Sequence, residues 1–561
     1  MKLFKEVIKN NLKLMIVYFV LGISFTFLGL YATNYFQVII DSFGTNDITL
    51  GMIIFYGIVL LINAIIGYID NYPDRVLFNK LYLEFKKQSM KKLKTIDYQE
   101  YQKIGTGRLS QQVEEGATAA RDAIYFFWLK LLRELLPGAI ISLFFIGRIE
   151  FKVLLIVLIG YIFVIILTNF VLKVLYNLKE KIIINQELLN KHLIRGFMEL
   201  VVFRTNKKYD VELEKIDLEI SDITKGKTKI KLVHEIFFTA FEILVTIIKI
   251  IMLVYAVISK NLTIGEIVVL ITLLGKAYEP IAIFNVEYID YKLNIVSLKR
   301  YLEFLDLPDV SNMYEGKTLK NISGNVVLKD VTFAYKEKQV LENINLEIKE
   351  NSTVAFVGET GSGKSTIIKL IAGLIKPQSG TVLIDNKDLT KIKLDSYYDH
   401  LSYLSQDSPI FDGTLKENIV FDKNVSDEKI IEVLKLVELE KFYSKLKNGL
   451  ETELGEKGIL ISGGERQRIA LARLFFDDSK IIILDEATSA MDNITEEKVM
   501  NSIMKKLENK TFIIIAHRLN TIRNVDKIFV LRNGSITETG TYQSLQKSSE
   551  YFKELSLKKV N

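Results

Sequence analysis

The chain has 561 residues, no cysteine, 49% hydrophobic residues and a formal net charge of +6 from 73 Lys and Arg against 67 Asp and Glu. It is longer than one ordinary domain, and with its positive mean hydropathy it is too apolar to be two soluble ones. The lack of cysteine excludes disulfides, thiolate metal sites and cysteine nucleophiles, and the modest charge calls for no nucleic-acid partner.

The first dozen residues set Leu3, Phe4, Val7, Ile8 and Leu12 against Lys2, Lys5 and Lys9, the pattern of an amphipathic helix on the inner membrane surface. The apolar stretch behind them is too long for a signal peptide and is expected to be retained as a crossing. Six stretches, approximately 14–40, 51–70, 124–146, 153–175, 236–258 and 264–286, are long enough to span a bilayer. A crossing takes roughly 20 apolar residues. Six crossings return the chain to its starting side.

The connections are unequal. Segments 71–123 and 176–235 are long and basic, with Lys86, Lys87, Lys91, Lys92, Lys94, Lys179, Lys181, Lys207 and Lys208, whereas Ser42 to Leu50 has no basic residue. The positive-inside tendency places the N-terminus, both long loops and the C-terminal region in the cytoplasm, with anionic lipid headgroups as neighbours of the basic residues. Both loops have helical character; Tyr82-Leu83-Glu84-Phe85-Lys86-Lys87 continues the pattern of the second crossing.

Charges inside the apolar segments are costly in lipid and should face protein or water. Lys130, Arg133 and Glu134 lie in the third segment, Glu242 and Lys249 in the fifth, and Lys276 and Glu279 in the sixth. Lys130 and Glu134 are four apart and can pair on one helix face. Two readings stay open: internal ion pairs or residues near the membrane edge, and a mixed-charge cavity for a peptide or amphipathic molecule. Tyr278, Phe284, Phe237 and Phe241 fit either a drug-binding wall or helix packing.

Farther along, Val354-Ala355-Phe356-Val357 reads as a buried parallel strand, followed by Gly358-Glu359-Thr360-Gly361-Ser362-Gly363-Lys364-Ser365-Thr366 and a helical stretch. The glycines let the backbone aim N–H groups inward at a triphosphate, which then sits at a helix N-terminus. Lys364 supplies a point charge for the β- and γ-phosphates, and the Ser365 hydroxyl suits Mg²⁺. Ile481 to Leu484 form a second strand ending in Asp485 and Glu486. Asp485 is suited to coordinate Mg²⁺, directly or through water, and Glu486 to polarise the water that attacks the γ-phosphate.

With these motifs in hand, residues 322–561 resemble the nucleotide-binding domain of an ABC transporter. The resemblance implies that Tyr335 stacks on adenine and that Gln406 contacts Mg²⁺ and the attacking water. Ile461-Ser462-Gly463-Gly464-Glu465 resembles the signature motif, whose helix N-terminus faces the γ-phosphate held by a partner domain. Ser489-Ala490-Met491-Asp492 resembles the loop connecting the two sites, and His517 resembles the switch histidine that contacts the γ-phosphate. His192, His234 and His400 carry no comparable signal. Ile461 and Glu465 stand where the commonest family form has leucine and glutamine, and Met491 is a similar mild change.

The resemblance extends to residues 1–305 as an ABC exporter membrane domain, joined by a linker at 306–321. It implies an α-helical membrane domain with six crossings fused to an α/β P-loop NTPase domain. Short coupling helices are expected near Gly105-Thr106-Gly107-Arg108-Leu109 and near Gly196 to Thr205. Its cofactors would be ATP and Mg²⁺, and its partner a second half-transporter. With Glu486, His517, Gln406 and the signature all present, a homodimer is the simplest reading. The activity implied is ATP-driven export of a peptide, drug or lipid-like molecule across a bacterial cytoplasmic membrane. An ATP-gated channel or regulatory membrane protein on the same scaffold is the alternative, and an importer is disfavoured by the fused exporter order.

Overall fold

The computed structural model describes residues 2–104, 106–198, 200–336, 338–407, 409–455, 461–516, 518 and 520–558. The chain forms two compact units, one of Met1–Lys94 with Ile104–Leu307, the other of Thr95–Lys103 with Pro308–Asn561.

The first unit is helical. Its long elements are α1 (Lys2–Thr45), α2 (Leu50–Thr95), α3 (Tyr98–Ile104), α4 (Thr106–Asp122), α5 (Leu136–Ile149), α6 (Phe151–Met198), α7 (Leu200–Thr205), α8 (Tyr209–Ser259) and α9 (Ile264–Leu305). Most of α3 clusters with the second unit. The long loops are helical extensions of the apolar stretches, as their sequence predicts: α2, α6 and α8 each run through apolar and basic stretches without a break. Side chains such as Leu61, Ile65, Ile159, Phe163 and Ile166 are exposed, as lipid-facing residues must be when no water-seeking groups share their face.

Among the described residues five helices are long and apolar enough to cross a membrane. The expected crossing at 124–146 is not one of the five. Ala123–Leu129 and Leu131–Leu135 are π-helical, and only Leu136–Ile149 is regular α-helix. The first dozen residues also differ from expectation. They are the start of α1, with Val7 fully buried, Glu6 paired to Lys91 at 2.7 Å and Asn11 donating to Glu84 at 2.8 Å.

Close packing in this unit depends on small residues. The hydroxyl of Tyr278 on α9 donates to the Val157 carbonyl of α6 at 2.8 Å, and that of Tyr161 donates to the Ala277 carbonyl at 2.6 Å. A Cβ on Gly160 would lie 2.0 Å from the Tyr278 hydroxyl, so glycine makes this approach possible. At the opposite end Thr263 caps α9 together with Glu266. Asp41 of α1 accepts from the Thr263 hydroxyl at 2.7 Å and from the Gly265 amide at 2.9 Å.

The second unit carries β1 (Val326–Tyr335), β2 (Lys338–Ile348), β3 (Thr353–Gly358), β4 (Ser379–Ile384), β5 (Lys387–Asp388), β6 (Leu401–Leu404), β7 (Ile481–Asp485), β8 (Thr511–Ile515), β9 (Lys527–Arg532) and β10 (Ser535–Gly540). One sheet is antiparallel, in the order β2-β1-β4-β5; the other has the order β10-β9-β3-β8-β7-β6. In the second sheet β3 pairs in parallel with both β8 and β9, and β7 with both β6 and β8. Its strands are continuous apolar runs, Ile481 to Leu484 and Phe512 to Ile515 being almost wholly buried, because both faces of a parallel sheet are covered. The C-terminal ends of β3, β7 and β8 therefore open on one edge, the usual place for chemistry in such a sheet.

Candidate functional site

Immediately after β3 the chain turns through Gly358–Gly363 into α10 (Lys364–Ile371). Gly363 begins that helix with a φ of 106°, and a Cβ there would lie 2.5 Å from Leu341 Cδ2. Only glycine meets both demands. Lys364 is buried, its ammonium donating to the carbonyls of Gly358 at 3.1 Å and Glu359 at 2.8 Å. This arrangement folds the lysine back over its own loop, where a bound anion would meet it.

A cavity of about 650 Å³ lies against this loop. Thr360, Gly361, Gly363, Lys364, Ser365 and Thr366 line it from the loop and helix, Tyr335 from the end of β1, and Glu486 from the end of β7. Gly358, Glu359 and Ser362 belong to the same loop without lining the cavity. The residues fit a triphosphate on two counts. The space beyond Gly361 is open, with nothing within 4 Å of a Cβ built there, and the buried Ser362 hydroxyl has no hydrogen-bond partner among the described residues.

Asp485 ends β7, and its carboxylate accepts from the Tyr403 hydroxyl of β6 at 3.1 Å. Burial pushes its pKa up, and the Tyr403 hydrogen bond opposes that shift. Glu486 follows with a φ of 54°, an unusual left-handed conformation for glutamate, its amide donating to the Ile515 carbonyl at 3.2 Å. Gln406 is exposed on the loop after β6 and does not line the cavity. Among the described residues no three His, Cys, Asp or Glu side chains form a metal cage. Mg²⁺ keeps waters and phosphate oxygens as most of its ligands. Ser365, Asp485 and Gln406 are the protein groups that would supplement them. His517 lies outside the described residues.

Ser462, Gly463, Gly464 and Glu465 are not brought to this cavity. Ser462 caps the helix Gly463–Ala472, and Glu465 closes the box by accepting from the Ser462 amide at 2.8 Å and from its hydroxyl at 2.7 Å. The two glycines lie against Ala490, a Cβ on Gly464 falling 3.1 Å from the Ala490 carbonyl oxygen. Gln467, nearly fully buried, fastens this helix to the loop after β7 by accepting from the Ala490 amide at 2.8 Å and donating to the Ser489 hydroxyl at 3.1 Å. From the other side the buried Glu496 carboxylate accepts from Thr488 at 2.7 Å and Arg518 at 3.0 Å. These groups hold the loops around the β7 end in place.

Sequence reasoning missed part of β2 and a turn. Lys338, Gln339, Val340, Leu341, Glu342 and the Asn533-Gly534 turn also line the cavity, with the Glu342 amide donating to the Gly534 carbonyl at 2.9 Å. An Asn-Gly pair announces a turn, but nothing local announces where that turn lands.

Tyr98 belongs with this unit although it follows α2. Thr95 accepts from the Val310 amide at 2.8 Å, Asp97 donates through its amide to the Pro308 carbonyl at 2.9 Å, and Lys369 of α10 lies 5.7 Å from the Tyr98 ring centroid. Burial, with smaller contributions from Tyr335, Tyr101 and Asp485, raises the Tyr98 pKa. The segment that joins the nucleotide unit is thus Thr95–Lys103, just before the expected Gly105–Leu109; Gly105 is outside the described residues.

Comparison with known proteins gives a consistent likeness. The sequence profile of the ABC transporter family matches residues 341–489. The Arabidopsis thaliana protein named ABC transporter B family member 13 is 43% identical over 234 residues, which is 41% of this chain and 19% of that protein. A Rickettsia prowazekii protein named as an export ATP-binding/permease protein is 29% identical over 527 residues, covering 90% of this chain and 88% of its own. In structure, the chain is similar to a bacterial Atm1-family ABC exporter solved with ATP bound, with a TM-score of 0.84, 21% identity and 99% of each chain covered.

Proposed function

Because residues 341–489 belong to the ABC transporter family and the chain has the fold of an exporter half-transporter, with a membrane domain fused to a nucleotide-binding domain, we propose that it is an ATP-driven exporter. The observation that carries this reading is the cavity in which Lys364, Ser365, Thr366, Tyr335 and Glu486 meet.

In this reading the Lys364 ammonium exchanges the carbonyls of Gly358 and Glu359 for the β- and γ-phosphates of ATP. The loop amides and the N-terminus of α10 receive the remaining charge. Tyr335 offers its ring to the adenine. Mg²⁺, held by Ser365 with Asp485 and Gln406, neutralises phosphate charge when bound. Glu486 orients and polarises the attacking water, and His517 holds the γ-phosphate.

Ser462, Gly463, Gly464 and Glu465 have no task at their own chain's cavity, which supports a second copy as the owner of the phosphate they address. The full set of site residues on this chain supports a homodimer as the simplest reading. Closing two such domains around ATP moves the segment Thr95–Lys103 and turns the membrane domain outward, an alternating-access cycle reset by hydrolysis. ATP can shift that equilibrium only by its differential affinity for the closed state.

The proposed division is a membrane domain at 1–305, a linker at 306–321 and the nucleotide domain at 322–561. The basic loops support a bacterial cytoplasmic membrane with the N-terminus and the ATP site inside. Peptides, drugs and lipid-like molecules are the cargo classes to test.

The test uses the full chain in sealed vesicles with ATP on the nucleotide-domain side and labelled compounds of these classes. Uphill, ATP-dependent accumulation is expected for at least one class. An ATP-dependent conductance that only follows the gradient would refute the pump and favour the channel.

A further inference from the structure

The helical unit contains a second cavity, of about 450 Å³, walled by α1, α2, the π-helical segment, α5 and α9. Its polar residues are unevenly satisfied. Arg133 is buried. Its guanidinium pairs with Asp70, donates to the Tyr18 carbonyl at 2.9 Å and lies 3.8 Å from the Tyr18 ring centroid. Lys276 pairs with Glu279 at 3.4 Å. Both cations lining the cavity are therefore engaged.

The acceptors are not. Asn63 and Asp70, seven residues and two turns apart on one face of α2, each leave a buried Oδ1 with no hydrogen-bond partner among the described residues. Glu134 also lines the cavity and makes no ion pair among them, because Lys130, its neighbour by helical spacing, pairs instead with Glu287 at 3.0 Å. Three lining carboxylates, Asp70, Glu134 and Glu279, against two cations leave one net negative charge. Buried acceptors without donors are costly. The rest of the wall sets the apolar Phe25, Leu30 and Ile283 beside Thr26 and Thr33.

We propose that this cavity binds an amphipathic organic ammonium compound. Its N–H donors are directed at Asn63 Oδ1, Asp70 Oδ1 and the Glu134 carboxylate, and its apolar part lies against Phe25, Leu30 and Ile283. A carboxylate or a neutral isostere leaves the same acceptors unmet. The proposal deepens the exporter reading and rests on it for one point only, that the bound ammonium is cargo.

The experiment titrates full-length protein in nanodiscs, without nucleotide, with the fluorescent primary ammonium dansylcadaverine. Its N-acetyl derivative and a dansyl carboxylate of equal length serve as controls, and protein-free nanodiscs give the partition blank. The ammonium probe is expected to bind about tenfold more tightly than either control, the scale of a charge-assisted hydrogen bond in a shielded site. Glu134→Gln should erase that preference, and Glu134→Asp should keep most of it. Equal binding of the ammonium and neutral probes, or a preference that survives Glu134→Gln, overturns the proposal. ATP-driven uptake by inverted vesicles separates the two readings. An ammonium that binds but never accumulates against its gradient counts against export and leaves the site standing. Accumulation of the carboxylate probe without ammonium binding removes the site and leaves export standing.

Discussion

The carboxylate of Glu465 accepts hydrogen bonds from both the amide of Ser462, at 2.8 Å, and its hydroxyl, at 2.7 Å. These are the donors that the signature would direct at a phosphate held by a second copy. A γ-phosphate arriving there must displace a carboxylate and meet its like charge at the same helix N-terminus. Glu465→Gln keeps the capping geometry and removes the charge. The expected result is an apparent KM for ATP lower by about three- to tenfold, the effect of removing one partly screened like charge. A steady-state ATPase titration checks this, and an unchanged or higher KM would show that the carboxylate does not compete.

Glu486 leads to a sharper prediction. Its left-handed backbone, fixed by the amide bond to the Ile515 carbonyl, holds the side chain at the phosphate cavity. Glu486→Gln is nearly isosteric and leaves Lys364 and the loop untouched. ATP binding should stay within about threefold of the parent, whereas phosphate release should fall by at least about a hundredfold if a base is lost. Near-normal turnover would remove Glu486 from that role.

Tyr98 tests the proposed coupling between ATP hydrolysis and transport. The segment carrying it is tied to the nucleotide unit by the Thr95 and Asp97 backbone bonds, and its ring lies near Lys369 of α10. Tyr98→Ala removes the ring while leaving those bonds in place. Basal ATPase should persist within about twofold, whereas stimulation by a transported compound should fall by at least about fivefold, because a packing contact of this size contributes a few kcal/mol. Stimulation equal to that of the parent would mean that Tyr98 transmits nothing.

These sites differ in how legible they were in the sequence. The strand, glycine-rich turn and helix around Lys364 are contiguous, so local pattern alone assembles them, and Ser462-Gly-Gly-Glu465 spells a capping box in four residues. The attachment of Thr95–Lys103 depends on backbone bonds to Pro308 and Val310, more than two hundred residues away, which no local period encodes. Lys130 illustrates a different failure. Helical spacing offered Glu134, in a segment that winds as a π-helix. Lys130 reaches Glu287 instead, and the same winding is why the third crossing is not one regular α-helix. Net charge and spacing could suggest a mixed-charge cavity; only the partners reveal that its cations are engaged and its acceptors are not.

Asp477 supplies a pH prediction within the nucleotide unit. Burial pushes its pKa up, but hydrogen bonds from Lys423 at 2.8 Å and Ser402 at 2.7 Å outweigh burial and hold the carboxyl below its usual value. A carboxyl depressed by folding stabilises the fold above its unfolded pKa, about 3.9 for aspartate, and that contribution is lost as pH falls through the folded value. Solvent reaches 44% of the side chain and screens the pair, so the contribution is at the low end, about 0.5–1 kcal/mol. Asp477→Asn should therefore lower the thermal midpoint of the full chain at pH 7 by a few degrees. The gap should close as pH falls below about 4, where the parent loses the same charge. Melts followed by circular dichroism across that range decide it. A gap that widens toward acid would mean that the Asp477 carboxylate is not what steadies this corner of the domain.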